Sequence, residues 1–420
     1  MRLPLSRTVR RLLGRKAPVD PMKQFAAVNH PTLVPTMPLA PTAAQPHLPP
    51  RITIVLPVLT FGGVTGGPNT AYNIGARLQL AGLRVRFATT GVMDADLGNL
   101  RTHVAQLGGD ASGAKEIEFF STSSGAPLLV EPDESFMATL WSTAYTANAA
   151  LQYTSAKEFF YLIQDYEPAF YAWSSNFALA SATYTMPHRL IFNDPLLGDY
   201  LHAQIPESRR APGKSISFLP SVDPVLFAPP TTPRQRPYTL LFYARPHAQR
   251  NAFELGLHAL RAAVARGALN SPDWEIRSIG ARLPPFDLGR GQTLINDPWN
   301  NFTEYAALMR RSSVVLALSI SPVSGYPVRE IASTGGFAVT NTFANKDLAS
   351  LQRISPRVFA APATVDEIAT ELIRAATATE AGEADTPLPT TASQMPPTWT
   401  AALSEVIPWI VAGVRESRYD

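Results

Sequence analysis

Two arginines, Arg245 and Arg250, sit in the polar stretch Arg245-Pro-His-Ala-Gln-Arg250 that follows the apolar run Tyr238-Thr-Leu-Leu-Phe-Tyr-Ala244. A guanidinium presents a planar fork of donors that grips phosphate oxygens in pairs, so two in one loop suit a diphosphate; as solvated charges they need no ligand. A second group is Tyr326-Pro-Val-Arg-Glu330, where Tyr326, Pro327 and Glu330 open a short helix after an apolar run. Backbone N–H groups at such a helix start attract phosphate, and a lone carboxylate there suits sugar or ribose hydroxyls. Glu330 could equally do no more than complement the helix dipole. A third group, Asp165, Tyr166 and Glu167, lies in Gln164-Asp-Tyr-Glu-Pro168. Two carboxylates and an aromatic at a strand end suit a hydroxyl-rich ligand, with a solvated loop as the plain alternative.

Other clusters carry weaker signals. Gly62 and Gly63 belong to the turn Phe61-Gly-Gly-Val-Thr-Gly-Gly-Pro68. Such a turn lets backbone approach a ligand closely. Its spacing is not G-x-G-x-x-G, and the next strand ends in Ala88-Thr-Thr90 with no acid for a ribose, which speaks against a nicotinamide cofactor. Asp94 and Asp96 could meet a cation, but no His or third carboxylate is close in sequence, so no metal site is expected.

The elements that must position these groups alternate between strand and helix. Residues 51–58 read as a buried strand, a helix starting near Pro68 buries Ala71, Ile74, Leu78 and Ala81, and 83–88 form the next strand. Phe136, Leu140, Ala144, Ala147 and Leu151 fit a helical stripe over 136–151. Strands follow at 158–163 and 188–192, with a helix over 174–184 between them and Asn193-Asp194 capping what comes next. Pro229, Pro230, Pro233 and Pro237 mark a linker. A second α/β series begins at 238, with Asn251 and Glu254 as a capping box on a helix that buries Phe253, Leu257, Leu260 and Val264. Strands at 274–279 and 293–296, a helix at 303–311, strands at 314–318 and 337–340, and a helix capped by Thr364 continue it. A Pro/Thr/Ala linker covers 381–397, and 398–414 reads as a final helix. The domain reading is therefore a Pro/Ala-rich arm over 1–50, an N-terminal α/β domain over 51–227, and a C-terminal α/β domain over 238–390, with the ligand cleft between the two.

At 420 residues, 45% hydrophobic and 16% charged, the chain can bury the cores of two domains. A net charge of +3 is too small to imply nucleic-acid binding. The chain has no cysteine, which excludes disulfides, thiolate metal sites and a cysteine nucleophile. No apolar run is long enough to span a membrane and the start has no signal-peptide core, so the expectation is a cytoplasmic protein. The first sixteen residues hold six basic side chains and no acid. They read as a disordered tail, or as a peripheral contact with the inner face of the cell membrane.

With these blocks laid out, residues 50 to 415 resemble a GT-B glycosyltransferase of family 4, and more narrowly the WsaF-type rhamnosyltransferases of bacterial surface-glycan assembly. The resemblance rests on Gly62-Gly63, the block Phe160–Pro168, Pro220-Ser-Val-Asp223 with Phe227, Tyr243-Ala-Arg-Pro246 with Arg250-Asn-Ala-Phe-Glu254, and Ser321-Pro through Tyr326-Pro to Glu330. It implies two Rossmann-like domains facing across a cleft, with the helix at 398–420 crossing back to complete the N-terminal, acceptor-binding domain. Arg245 and Arg250 would hold the donor diphosphate, Tyr326 and Pro327 would line the donor site, and Gly62 and Gly63 would let the N-terminal domain close on it. Glu330 would match the second glutamate of the family's pair and, with Arg245, carry the catalytic roles. Asp165, Tyr166 and Glu167, in the N-terminal half, would face the acceptor. The first glutamate of the pair is replaced by Pro322, and Arg250 stands where many members have lysine. The implied activity is retaining, metal-independent transfer of a sugar, L-rhamnose from dTDP-L-rhamnose, to a glycan or lipid-linked glycan. The nucleotide diphosphate sugar is then a substrate and no cofactor is required. A nucleotide-sugar epimerase and a non-catalytic glycan-binding subunit are the rival readings.

Overall fold

The computed structural model describes residues 36–416 except 65, 109–115, 123–124, 205–214, 298–300, 387 and 389–392. The basic start, with its expected membrane contact, lies outside the described residues. The apolar runs become the strands of two sheets of seven strands each.

The N-terminal sheet contains β2 (Arg51–Leu56), β3 (Arg84–Thr89), β4 (Glu118–Ser121), β6 (Ser135–Ala138), β7 (Phe159–Ile163), β8 (His188–Phe192) and β9 (Ser215–Ser217). Its order is β4-β3-β2-β6-β7-β8-β9, and every pairing is parallel. Parallel strands must be covered on both faces, which explains their unbroken apolar runs. Ile52, Ile54 and Leu56 enter the core on one face and Val55 the core on the other. Helices α1 (Gly66–Leu80), α2 (Gly98–Gly108), α3 (Trp141–Ala150), α4 (Ser175–Thr183) and α5 (Pro195–Gln204) complete this unit.

The C-terminal sheet holds β10 (Tyr238–Tyr243), β11 (Trp274–Ile279), β12 (Phe286–Gly289), β13 (Gln292–Asn296), β14 (Val314–Leu316), β15 (Phe337–Asn341) and β16 (Val358–Ala361). Its order is β12-β13-β11-β10-β14-β15-β16, parallel except for the β12–β13 pair. Its helices are α6 (Phe253–Ala265), α7 (Phe302–Arg311), α8 (Tyr326–Ser333), α9 (Leu348–Gln352) and α10 (Val365–Glu380). In each sheet the chain winds outward one way and then the other. The reversals fall between β2 and β6 and between β10 and β14, and ligands bind beyond the strand ends at such points.

Two helices follow the second sheet, α11 (Trp399–Ala402) and α12 (Val406–Glu416). Leu403, Val406, Ile410 and Val414 join Ile52, Ile54 and Leu162 in the N-terminal core. Trp409 meets Phe160 edge-on at 5.9 Å, and Gly413 sits where a Cβ would lie 2.5 Å from the Arg189 guanidinium.

Five expectations need correction. The stripe beginning at Phe136 is not one helix: 135–138 is a strand, its side chains alternating between the two cores, and α3 starts only at Trp141 after extended Leu140. The capping box of Asn251 and Glu254 does not form. Ala252, at φ 46°, takes the N-cap place with no side-chain cap, because the Asn251 amide is drawn away to donate to the Leu318 carbonyl at 3.1 Å. The final helix is split at 403–405, with Thr398 capping its first part through Ala401 N. Part of the arm is structured: β1 (Leu39–Pro41) pairs with β5 (Leu128–Val130), and Met37 is buried. Phe227, read as closing the first domain, packs in the second domain's core against Tyr305.

Candidate active site

Both chain reversals place their loops on one cleft. A cavity of about 330 Å³ is lined from the N-terminal side by Gly66, Gly67, Thr139 and Asp165, and from the C-terminal side by Arg245, Arg250, Ser319 and Tyr326. A second, of about 220 Å³, lies on the C-terminal side and is lined by Phe302, Tyr305 and Glu330. Gly66, Tyr243, Arg245, Tyr326 and Pro327 line both.

Tyr326 stands between the two cavities. Its ring lies so close to the start of α1 that a Cβ on Gly66 would sit 2.4 Å from a ring carbon. Its hydroxyl is hydrogen-bonded to the Thr70 hydroxyl. Burial pushes the phenol up to about 12. The backbone closeness expected of the glycine turn is thus realised at Gly66 and Gly67, whose carbonyl accepts from Gln164 Nε2 at 3.2 Å. Gly62 and Gly63 fall in the neighbouring turn Phe61–Gly63, outside both cavity linings. That turn is held by Asp94, whose Oδ2 accepts from Phe61 N at 2.7 Å, while Asp96 accepts from Gly98 N.

The two arginines differ in commitment. Arg245 has no carboxylate in ion-pair range among the described residues; Nη1 donates to the Tyr243 hydroxyl at 3.3 Å. Gly280, at φ 110°, gives its side chain room, since a Cβ there would lie 2.8 Å from Arg245 Cγ. Arg250 reaches across the cleft. Its Nε meets Asp165 Oδ2 at 2.9 Å, and its guanidinium lies over the Phe170 ring, 4.1 Å from the centroid. Asp165 Oδ1 accepts from Tyr166 N and from the Ser321 hydroxyl, so this carboxylate joins the N-terminal domain to both C-terminal loops.

The other expected residues are distributed unevenly. Tyr166 packs against Tyr184 and Tyr200, outside both linings. Glu167 lines the first cavity yet is deeply buried. Its Oε2 accepts from Trp141 N at the start of α3 and from the Tyr161 hydroxyl at 3.2 Å, and burial pushes it up to about 8. Pro327 occupies the first turn of α8, where its missing N–H costs nothing. Glu330 lines the second cavity, and its Oε2 accepts from the Tyr305 hydroxyl at 2.5 Å. Burial pushes Glu330 up to about 7, offset in part by that hydrogen bond.

Several residues of the site were not read as part of it from the sequence, Asp194 only as a helix cap. Asp194 caps α5 through Leu196 N, and its second oxygen meets Arg329 Nη2 at 2.7 Å in a buried pair between domains. Lys346 is fully buried and donates to the carbonyls of Ser319 and Val323, at 2.8 and 3.3 Å; burial pushes its amine down to about 7. Three lining residues, each more than nine-tenths buried, carry atoms with no hydrogen-bond partner among the described residues: Asn193 Oδ1, Asn251 Oδ1 and Arg329 Nη1. An unmet buried polar atom costs about 1–3 kcal/mol.

Comparison with known proteins agrees with this arrangement. The descriptions "WsaF, N-terminal domain" and "WsaF, C-terminal domain" match residues 51–193 and 238–373. The O-antigen biosynthesis protein RfbC of Myxococcus xanthus is 31% identical over 288 residues, which are 68% of this chain and 21% of that protein. This chain therefore spans about a fifth of that relative's length. Among solved structures, sucrose-phosphate synthase from Thermosynechococcus elongatus superposes with a TM-score of 0.57 at 13% identity, covering 88% of this chain and 99% of that one. Anabaena Alr3699/HepE in complex with UDP-glucose gives 0.54 at 12% identity over 88% and 98% of the two chains. WaaG, a glycosyltransferase involved in lipopolysaccharide biosynthesis, gives 0.53 at 10% identity over 86% and 99%. At these identities the likeness establishes the fold, which is GT-B: two Rossmann-like domains facing across a cleft.

Proposed function

The chain belongs to the WsaF family, and on that ground we propose that it is a glycosyltransferase of surface-polysaccharide assembly. It takes a nucleotide diphosphate sugar, with dTDP-L-rhamnose the donor to test first, and moves the sugar to a growing glycan with retention of configuration. The observation that carries this reading is Arg245: a guanidinium with no carboxylate in ion-pair range among the described residues, at the chain reversal of the C-terminal sheet, lining both cavities beside the first turn of α8. The O-antigen role named for RfbC and the UDP-glucose bound by HepE point to the same substrate class.

The protein's part in the chemistry is electrostatic. As the bond to the diphosphate breaks, negative charge grows on the leaving oxygens, and Arg245, Arg250 and the N–H groups opening α8 oppose it. Glu330 accepts from ribose or sugar hydroxyls in the second cavity. With guanidiniums supplying the positive charge, no metal is needed. A donor phosphate oxygen takes the acceptor proton in a front-side attack. A cytoplasmic enzyme working at the inner face of the membrane fits this donor, and among the described residues no helix is long and apolar enough to cross a membrane.

The test is a panel of nucleotide sugars screened by thermal stabilisation, since a ligand that binds only the folded state raises its melting temperature. The stabilising donor is then turned over with and without a glycan acceptor, in the presence of chelator. Sugar transfer that requires acceptor and survives chelation is expected. Conversion of the donor without acceptor would point to an epimerase, and restoration of lost activity by Mg²⁺ or Mn²⁺ would refute metal independence.

A further inference from the structure

The loop that carries Glu167 continues past the cleft and onto the surface. After the turn Glu167–Phe170, residues 171–174 lead to α4, and Trp173 in that stretch is 94% exposed. The indole lies parallel to and offset from Phe177, with centroids 5.9 Å and planes 6° apart, and nearly all of its surface stays open. Phe177 is held from α4, whose N-cap Ser174 accepts from Phe177 N. The loop's base is fixed as well: the Tyr171 hydroxyl accepts from Trp141 Nε1 at 2.9 Å. Phe170, three positions before Trp173, lines the first cavity and carries Arg250 on its ring.

A lone apolar side chain on a surface calls for no explanation. Here, however, a large flat ring lies in parallel with a second ring, on a loop continuous with the cleft. No side chain from Pro168 through Pro187 is ionic. An anionic partner, a lipid surface included, would call for lysine or arginine around the ring. Ser174, Ser175 and Asn176 supply uncharged hydrogen-bonding groups instead. An open aromatic face beside such groups matches a neutral sugar ring, whose C–H face is apolar and whose rim carries hydroxyls.

Building on the glycosyltransferase reading, we propose that Trp173, alongside Phe177, is a stacking platform for a neutral sugar of the acceptor glycan, outside the cleft in which transfer occurs. The full chain is compared with Trp173→Ala and Trp173→Phe by titration with three probe sets: neutral oligosaccharides of rhamnose, glucose and galactose; dTDP-L-rhamnose; and phosphatidylethanolamine–phosphatidylglycerol vesicles. Trp173→Ala is expected to weaken the tightest oligosaccharide by roughly three- to tenfold, the scale of a lost aromatic stack, and Trp173→Phe to recover most of it. dTDP-L-rhamnose affinity stays within about twofold throughout, which also reports that the variants fold. The proposal is overturned if Trp173→Ala binds the oligosaccharides as the parent does, if the parent binds none, or if only vesicle binding is lost. Failure of dTDP-L-rhamnose to bind even the parent counts against the donor reading alone, because the oligosaccharide comparison is scored without it.

Discussion

Glu330→Gln tests a buried carboxylate through its charge alone, since the replacement keeps the shape and the partner Tyr305. In the folded protein burial raises the Glu330 carboxyl from an ordinary 4.5 to about 7. Between those values the folded state holds a proton that the unfolded chain has released. The stability contributed by the protonated side chain is thus fully present below the unfolded value and is lost as pH rises through about 7. At about 1.4 kcal/mol per pH unit, the window amounts to roughly 3 kcal/mol. Glutamine cannot ionise, so the variant should match the parent near pH 5 and exceed it at pH 8.5 by up to about 3 kcal/mol. Denaturant unfolding of both proteins at the two pH values measures this, and the other buried titrating groups, Glu167 and Lys346, are common to both. Function should move the opposite way. Hydroxyl contacts that tighten as the sugar becomes cationic act in the transition state, so turnover should fall at least about tenfold, or 1.4 kcal/mol, with nucleotide diphosphate affinity kept. Parallel pH profiles of stability would refute the buried titration. Glu330 lies past the first turn of α8, where the helix dipole gives it no role, so turnover within about twofold of the parent would leave it a buried partner of Tyr305 and nothing more.

The arginine loop and its neighbours give further expectations. Arg245→Ala removes a guanidinium with no carboxylate to release, and calorimetric titration with dTDP should show roughly ten- to hundredfold weaker binding; an unchanged constant would refute its role. Arg250→Ala should cost less, because Arg250 must loosen its hold on Asp165 before it can serve a phosphate. Asp165→Asn removes that competing anion and should tighten dTDP binding severalfold, about 1 kcal/mol; weaker binding would instead make Asp165 the residue that aims Arg250. Gly66→Ala places a Cβ against the Tyr326 ring and should cut turnover about tenfold or more while the melting temperature shifts by only a few degrees. Full activity in that variant would show that the position of Tyr326 is immaterial.

What the sequence made legible follows from how locally each feature is specified. Strands buried on both faces write themselves as continuous apolar runs, so β2, β7, β10 and β15 stood out. β6 did not, since four residues are too few to display alternation and Phe136, Leu140 and Ala144 happen to share helical spacing. Arg245, Tyr326 and Glu330 were visible because a strand-to-helix loop is a local pattern. Which of two glycine pairs faces the cleft was not, because it depends on Asp94 holding Phe61 from a distant loop. Lys346 gave no signal at all: its amine serves carbonyls more than twenty positions earlier. Arg329 gains its meaning only when the domains meet, through Asp194, while Asn193 is tied within its own domain to Gln164, 29 positions earlier.

The return of α12 to the N-terminal sheet also constrains how the protein can be made. Trp399, Ala402, Leu403, Val406, Ile410 and Val414 fill a core whose remaining members, from Ile52 to Phe218, leave the ribosome much earlier. Throughout synthesis of the C-terminal domain the part of that face not covered by α1 and α2 waits open, an apolar surface that invites chaperones or aggregation. A fragment ending at the proline-rich crossover near residue 228 would therefore be a poor model of the N-terminal domain, because its missing wall is encoded almost two hundred residues further on. The domain begun first is the one completed last.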